Sequence, residues 1–401
     1  MFIIYDPKKQ RVPIKVWLEN IVQLEYGCLK QATNLSTLPF VNKWVALMPD
    51  THQGYGMPIG GVIAVEDAII PNAVGVDIGC GMAFVETNIN KNELSTQEYQ
   101  ALIGRIMRDI PTGFDHHAKK QKCTVLEQSE FAKAQKQKTL PEGLPEIEEG
   151  YYQIGTLGGG NHFIELQEDE AGRLCIMVHS GSRNFGYKVA RYFNSRAKQL
   201  NEKWSSPVPR EFDLAFLPID SDTAQEYIAW MTLALQFARE NRTVMLNVVK
   251  RHLLQVIPNI EFQNEVNAHH NYAAAEHHYG KQVWVHRKGA IRARKGETGI
   301  IPGAMGTFSY IVKGKGNPES FCSCSHGAGR RMGRQAAKRQ FPVAKTIADL
   351  KELGVILGKR NKKDVSEEAR FAYKDIDFVI SQELDLIAPI KKLKTIAVIK
   401  G

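Results

Sequence analysis

The sequence predicts an α+β fold of mixed, largely antiparallel sheets with flanking helices. Three observations carry that prediction. Short β-prone runs recur along the chain between Gly/Pro-rich turns, with a hairpin around Glu168 to Gly172. Residues 94–110 and 222–250 have helical spacing, the second repeating Ala224, Tyr227, Ile228, Met231, Leu235 and Ala238 as a core-facing stripe. No internal repeat and no Pro/Gly/Ser linker divides the 401 residues, although the length would allow two or three domains.

Composition narrows the function classes. Apolar residues make up 43% and charged residues 24%, as in an ordinary globular protein. No apolar run reaches the length of a membrane span, and Met1 to Asp6 lacks a basic segment leading into an apolar one, so neither a span nor a secretion signal is expected. The six cysteines (28, 80, 123, 175, 322, 324) are scattered, with only Cys322 and Cys324 close together. That pattern argues against a disulfide framework and for a reducing, cytoplasmic setting. The net charge of +9 favours an anionic partner, nucleic acid being the commonest, with plain solubility as the other reading.

Taken in order, residues 1–45 carry no chemical signal. Trp44 to Gly61 reads as a buried strand opening into a long Gly/Pro loop that presents Asp50, His52 and Gln53, either for function or as a structural crossing. Gly61–Val65 and Ala68–Val76 read as strands. The second leads to Gly75-Val76-Asp77-Ile78-Gly79-Cys80-Gly81, where three glycines in seven residues imply a bent or closely approached backbone. One carboxylate and one thiol aimed at a common point make half a metal site; a glycine-rich turn with a buried free cysteine is equally open. Residues 116–149 are polar, with Lys119, Lys120, Lys122, Lys133, Lys136 and Lys138, and read as a solvated helix or mobile insertion.

Gly155 to Leu166 is a second glycine-rich block, whose turn can cradle phosphate and delivers Asn161 and His162 to a strand. Leu174–Val178 is a strand ending at His179, so His162 and His179 fall on adjacent antiparallel strands. Glu261–Val266 then opens into His269, His270 and Asn271; five of the twelve histidines lie between 269 and 286. Arg287 to Gly296 carries five cations in ten residues, a composition suited to a polyphosphate or nucleic-acid backbone. Ile300 to Ser309 is a small-residue loop between strands. His326 precedes Gly-Ala-Gly-Arg at an expected helix N-terminus, where an anion would bind.

Side by side, these blocks resemble the RtcB family of RNA-splicing ligases. The likeness lies in MPDTHQGYGMPIGG (48–61), VGVDIGCGM (74–82), GTLGGGNHFIE (155–165), VHSGSR (178–183) and the run from HHNY (269–272) through IIPGAMGTFSYIV to CSCSHGAGR (322–330), and continues to Lys400-Gly401. The resemblance implies a single catalytic domain over 1–401 around a central metal cleft. It implies two Mn²⁺ ions held by Asp77, Cys80, His162, His179 and His270, with Cys80 bridging. It implies GTP as the nucleotide, His326 as the residue guanylylated, and guanylate contacts from Asn161, His162, Phe163, Glu165, His270, Asn271, Pro302, Gly303, Ala304, Met305, Ser309, His326, Gly327, Ala328, Gly329 and Lys400. The implied substrates are RNA 3′-phosphate or 2′,3′-cyclic phosphate ends and RNA 5′-hydroxyl ends. Many relatives carry serine where this chain has Ala304, which removes one hydroxyl contact. By ligand softness alone, one thiolate with three imidazoles and a carboxylate suits zinc at least as well as manganese. A dinuclear phosphoesterase could use the same ligands without His326, and a non-catalytic RNA-binding protein would need only the basic surface.

Overall fold

The computed structural model describes residues 1–131, 141 and 143–401. Two sheets form an α+β architecture. The first has six strands in the order Phe2–Ile4, Ile14–Val16, Val41–Tyr55, Met57–Val65, Lys281–Lys288 and Asn271–His278. All neighbours run antiparallel except Ile14–Val16 beside Val41–Tyr55. The second sheet runs Phe262–His269, Gly81–Asn90, Arg173–Ser180, Phe163–Glu168, Ile387–Lys400, Phe308–Gly314 and Thr298–Ile301, with Ile356–Gly358 parallel to Ile387–Lys400. The segment 387–400, last in the sequence, therefore sits inside the sheet.

The chain crosses between the sheets at the places that matter for the site. His270 is the single residue between Phe262–His269 of the second sheet and Asn271–His278 of the first. The turn 75–80 joins elements packed on the first sheet to Gly81, which starts a strand of the second. Register then aligns the ends: Gly81 lies opposite both His269 and Ser180, and Phe163 lies opposite His179.

One long helix, Asp222–Val256, backs the second sheet, and a second helix packs against it. Arg183–Lys203 and Asp222–Val256 pack together, the longer opened by Ser221, whose hydroxyl accepts a hydrogen bond from the Ala224 N–H. The predicted stripe supplies the buried Ala224, Tyr227 and Met231, which join Phe185, Phe193 and Phe237 in one core cluster, and Ala238, also buried. Burial of each such phenylalanine contributes about 1.5–3 kcal/mol. Thr96–Asp109 is the helix expected over 94–110, started by a reciprocal Ser95/Glu98 cap.

Three expectations change. Asn72–Val76 is not strand: Pro71 presets the first turn of a short helix, Pro71–Val74, and only Ala68–Ile69 pairs as strand. The Asp77/Cys80 turn thus leaves a helix and enters a strand. The stretch after Trp44 is not an open loop; it continues as strand to Tyr55 and turns at Gly56, with register shifts that absorb its glycines. Segment 116–149 is not simply solvated, because Cys123, Leu126, Leu144 and Ile147 are buried in the core cluster beside the two long helices. Lys133, Lys136 and Lys138 lie outside the described residues. Among the described residues no helix is long and apolar enough to cross a membrane.

Candidate active site at the junction of the two sheets

A cavity of about 790 Å³ opens where the sheets meet, and most of the residues singled out above line it. Asp77 and Cys80 project from the turn in which Gly75 and Gly79 take φ of +99° and +76°, values costly for any side chain-bearing residue. Cys80 Sγ lies 3.4 Å from His162 Nε2 and 3.3 Å from His179 Nε2, and His162 Nε2 lies 3.2 Å from Asp77 Oδ2. The ligand atoms of Cys80, His162 and His179 all fall within 4.8 Å of one another, and all three residues are buried. His270 completes the group, its ring centroid 5.2 Å from that of His179.

The imidazoles are oriented from behind. His162 Nδ1 faces the Leu157 carbonyl oxygen at 3.0 Å and His179 Nδ1 faces that of Asn161 at 3.2 Å. Each backbone oxygen accepts the Nδ1 proton, so each Nε2 presents a lone pair towards the thiol. Burial, followed by the charge of neighbouring histidines, pushes His179 and His270 well below the ordinary imidazole range, which keeps both rings neutral. His270 Nδ1 is buried without any hydrogen-bond partner, an orphan that a cation would satisfy. Burial and then the Asp77 charge push the Cys80 thiol up, with Arg242 opposing. A cation in the cluster would reverse that shift and draw off the thiol proton. Neutral nitrogens, a thiol, a carboxylate and an unsatisfied buried nitrogen fit a metal site.

His326 stands beside this cluster, its ring centroid 4.8 Å from His270. It follows the strand Ser323–Ser325 and is not at a helix N-terminus, because the next helix, Arg334–Gln340, begins eight residues later. What holds it is Asp50, fully buried, whose Oδ2 accepts from His326 Nδ1 at 2.6 Å and from the His326 backbone N–H at 3.1 Å. Burial would raise the Asp50 carboxyl, yet the charge and hydrogen bond of His326 outweigh it and the net shift is downward. With Nδ1 committed to Asp50, Nε2 of His326 is the nitrogen left with a lone pair.

Around His326 the cavity is lined by Asn161, Phe163, Glu165, Asn271, Pro302 to Met305, Gly327 to Gly329 and Lys400. Ser309 lies behind this wall, its hydroxyl accepting from Gly303 N and Gln167 Nε2, each at 3.2 Å. Ala304 gives its carbonyl to the Thr307 backbone N–H and hydroxyl, at 2.9 and 2.8 Å. Burial raises Glu165 to about 7 against its hydrogen bonds from Gln167 and Thr395. Lys400 is buried and ion-paired with Glu368 at 3.2 Å, and Arg330 reaches the same carboxylate at 3.3 Å.

Three of the five cations in the basic run 287–296 are engaged within the fold, while Arg294 and Lys295 are exposed. Arg287 is fully buried and paired with Glu276, Arg292 pairs with Glu297 at 2.7 Å, and Lys288 donates to the carbonyls of Tyr55 and Asn72. These cations tie strands together. The positioning residue that composition hides is Arg242, a cation within the apolar stripe of helix Asp222–Val256. Its Nη1 donates to the carbonyls of Gly79 and Ser180, both at 2.8 Å, its Nε to Asn267 at 2.8 Å, and its Nη2 faces His269 at 3.1 Å. One guanidinium thus clamps the turn of Cys80, the strand of His179 and the strand leading to His270. Spacing alone offered the signal, since Arg242 continues the series Met231, Leu235, Ala238.

Known proteins resemble this chain over nearly its whole length. RNA-splicing ligase RtcB of Escherichia coli is 36% identical over 411 residues, spanning 98% of each chain. The tRNA-splicing ligases RtcB of Thermococcus kodakarensis and Pyrobaculum aerophilum are 32% and 30% identical, each over 98% of this chain and 96% and 95% of their own. The family description tRNA-splicing ligase RtcB matches residues 31–401, a span that holds both walls of the cavity, and the chain belongs to the RtcB family.

Proposed function

We propose that this chain, acting as one catalytic unit over residues 1–401, is a GTP- and Mn²⁺-dependent RNA ligase. It joins an RNA 3′-phosphate, or a 2′,3′-cyclic phosphate opened first, to an RNA 5′-hydroxyl through a guanylylated His326. The observation that carries the reading is the His326–Asp50 pair, which leaves one nucleophilic nitrogen free within 4.8 Å, ring to ring, of a histidine of the metal cluster. Full-length relatives named as RNA-splicing ligases support it.

Asp77, Cys80, His162, His179 and His270 would hold two Mn²⁺ ions, which would supply charge neutralisation for phosphoryl oxygens. GTP enters as a co-substrate. His326 Nε2 attacks its α-phosphorus, an N–P bond forms, and pyrophosphate leaves with the electron pair of the broken P–O bond. Asp50 keeps the Nδ1 proton in place and stabilises the ring as it becomes cationic. An oxygen of the RNA 3′-phosphate then takes GMP from His326, restoring the imidazole lone pair. The 5′-hydroxyl oxygen attacks the activated phosphate, loses its proton, and GMP leaves. Activation is needed because a phosphate monoester has no good leaving group.

Glu165 and Lys400 form the polar end of the guanylate pocket, and Asn161, Asn271 and Gly327 to Gly329 line its approach. The six cysteines are all unpaired, as suits a protein of the reducing cytoplasm. Incubation with α-labelled GTP and Mn²⁺ tests the reading. Wild-type protein takes up label and seals RNA carrying 3′-phosphate and 5′-hydroxyl ends, whereas His326→Ala does neither. Release of inorganic phosphate from RNA ends without labelling of the protein would identify a phosphoesterase instead.

A further inference from the structure

The catalytic cavity has a neighbour. A second hollow of about 490 Å³, lined in part by Arg331, Met332, Phe341, Lys345 and Phe371, shares Met332 with the catalytic cavity. Its floor is aromatic. Phe371 is 46% exposed, and its ring centroid lies 6.0 Å from that of Phe341. The Arg370 guanidinium lies 4.4 Å from the Phe371 ring centroid, held there by two 2.8 Å hydrogen bonds to Asp349. Phe371 is therefore a large apolar surface kept in place and left open to solvent.

The rim is basic. Residues 330–345 contain Arg330, Arg331, Arg334, Lys338, Arg339 and Lys345 and no carboxylate. Arg330, Arg334 and Lys338 are balanced by Glu367 and Glu368. Of the cations lining the hollow, Arg331 and Lys345 have no carboxylate partner among the described residues, and the one carboxylate in its lining, Asp349, is taken up by Arg370. Exposed aromatic faces with unbalanced cations alongside are what a single-stranded nucleic acid requires, because bases stack on the rings and phosphates meet the cations. An apolar peptide would cover the rings and leave these two cations unanswered. The hollow also begins where the catalytic cavity ends, so a strand with its reacting terminus near His326 runs into it.

We propose that this hollow is a nucleotide subsite for the RNA substrate. A base of a strand whose reacting end occupies the catalytic cavity stacks on Phe371 and Phe341, and its phosphates lie against Arg331 and Lys345. The subsite rests on the RNA-ligation reading and adds to it a place where RNA is held away from the chemistry.

Two short labelled oligonucleotides, one ending in a 3′-phosphate and one beginning with a 5′-hydroxyl, distinguish which strand passes through, read by fluorescence anisotropy on the full chain. Phe371→Ala weakens binding of one of them by about tenfold or more, Phe371→Trp restores it, and Lys345→Ala lowers the slope of log affinity against log salt by about one. Labelling of His326 by GTP stays at the wild-type rate in these variants, since neither side chain lines the catalytic cavity. Wild-type affinity of Phe371→Ala and Lys345→Ala for both strands, in a protein that labels and seals normally, overturns the subsite alone. A wild-type protein that neither labels nor seals RNA overturns the ligation reading and the subsite with it.

Discussion

The reactivity of His326 depends on which of its nitrogens carries the proton, and one carboxylate decides it. Asp50→Asn keeps the shape but removes the acceptor that fixes Nδ1–H, so Nε2 no longer reliably offers its lone pair. Initial rates of label uptake from GTP are expected to fall about 10²- to 10⁴-fold, with the metal content of the protein unchanged. Glu165 carries a second prediction. Its folded value, about 7, lies above its unaltered 4.5, so the folded protein retains a proton that the unfolded chain has already lost. That contribution is complete below about pH 4.5 and disappears as pH rises through 7, a change on the order of 3 kcal/mol. Denaturation midpoints at pH 5 and pH 8 are expected to differ less in Glu165→Gln than in wild type. With Glu165 as the proposed acceptor for guanine N–H donors, GTP binding is expected to run the other way, its affinity rising as pH passes 7 and isothermal titration reporting proton release on binding.

At the scale of elements, the site is an arrangement of turns held by one helix. Arg242 reaches the turn 75–80 and two strands at once, and the adjacent Asn241 accepts from Gly155 N at 2.7 Å and donates to Gly181 O at 3.2 Å. Arg242→Met keeps the hydrophobic stem but takes the guanidinium from the Ser180 carbonyl and leaves that of Gly79 to His269 Nδ1 alone, at 3.1 Å, which costs roughly 1–3 kcal/mol. The expected result is a lower Tm together with less Mn²⁺ bound per chain, measured by differential scanning fluorimetry and elemental analysis. The contribution of this helix also shows what a sequence reveals. Its period of 3.6 was legible over 222–250, as were the hairpin at 168–172 and the pairing of the strands beside His162 and His179. Asn72–Val76 was misread because an apolar run looks alike in a strand and a buried helix, and the decisive residue was Pro71. Arg287 and Arg292 within 287–296 were misread for a related reason: composition counts charges, whereas Glu276 and Glu297, which neutralise these two, are placed by the fold. His326 and Asp50 were each singled out by their neighbours in sequence, yet nothing local tells that they pair across 276 positions.

Over the whole molecule, the metal cluster joins the two sheets, since His270 is the residue between them and Asp77 and Cys80 lie on the turn from one to the other. Loading the site should therefore stabilise the fold as a unit. Mn²⁺ at a hundred times its dissociation constant is expected to add about 2.7 kcal/mol, seen as a rise in Tm over chelator-treated protein. Cys80→Ala should lose that response. Because the buried thiol must give up its proton, the Mn²⁺-induced rise grows with pH and shrinks in acid.

Residues 387–400 fill an interior seat in the second sheet, between Phe163–Glu168 and Phe308–Gly314. During synthesis those two flanking strands emerge first and wait with bare backbone edges, the form of surface most prone to pair with a stranger. A copy stripped of residues 387–400 would expose both of those edges to chaperones and proteases. It would also lose Lys400, which lines the same cavity as His326.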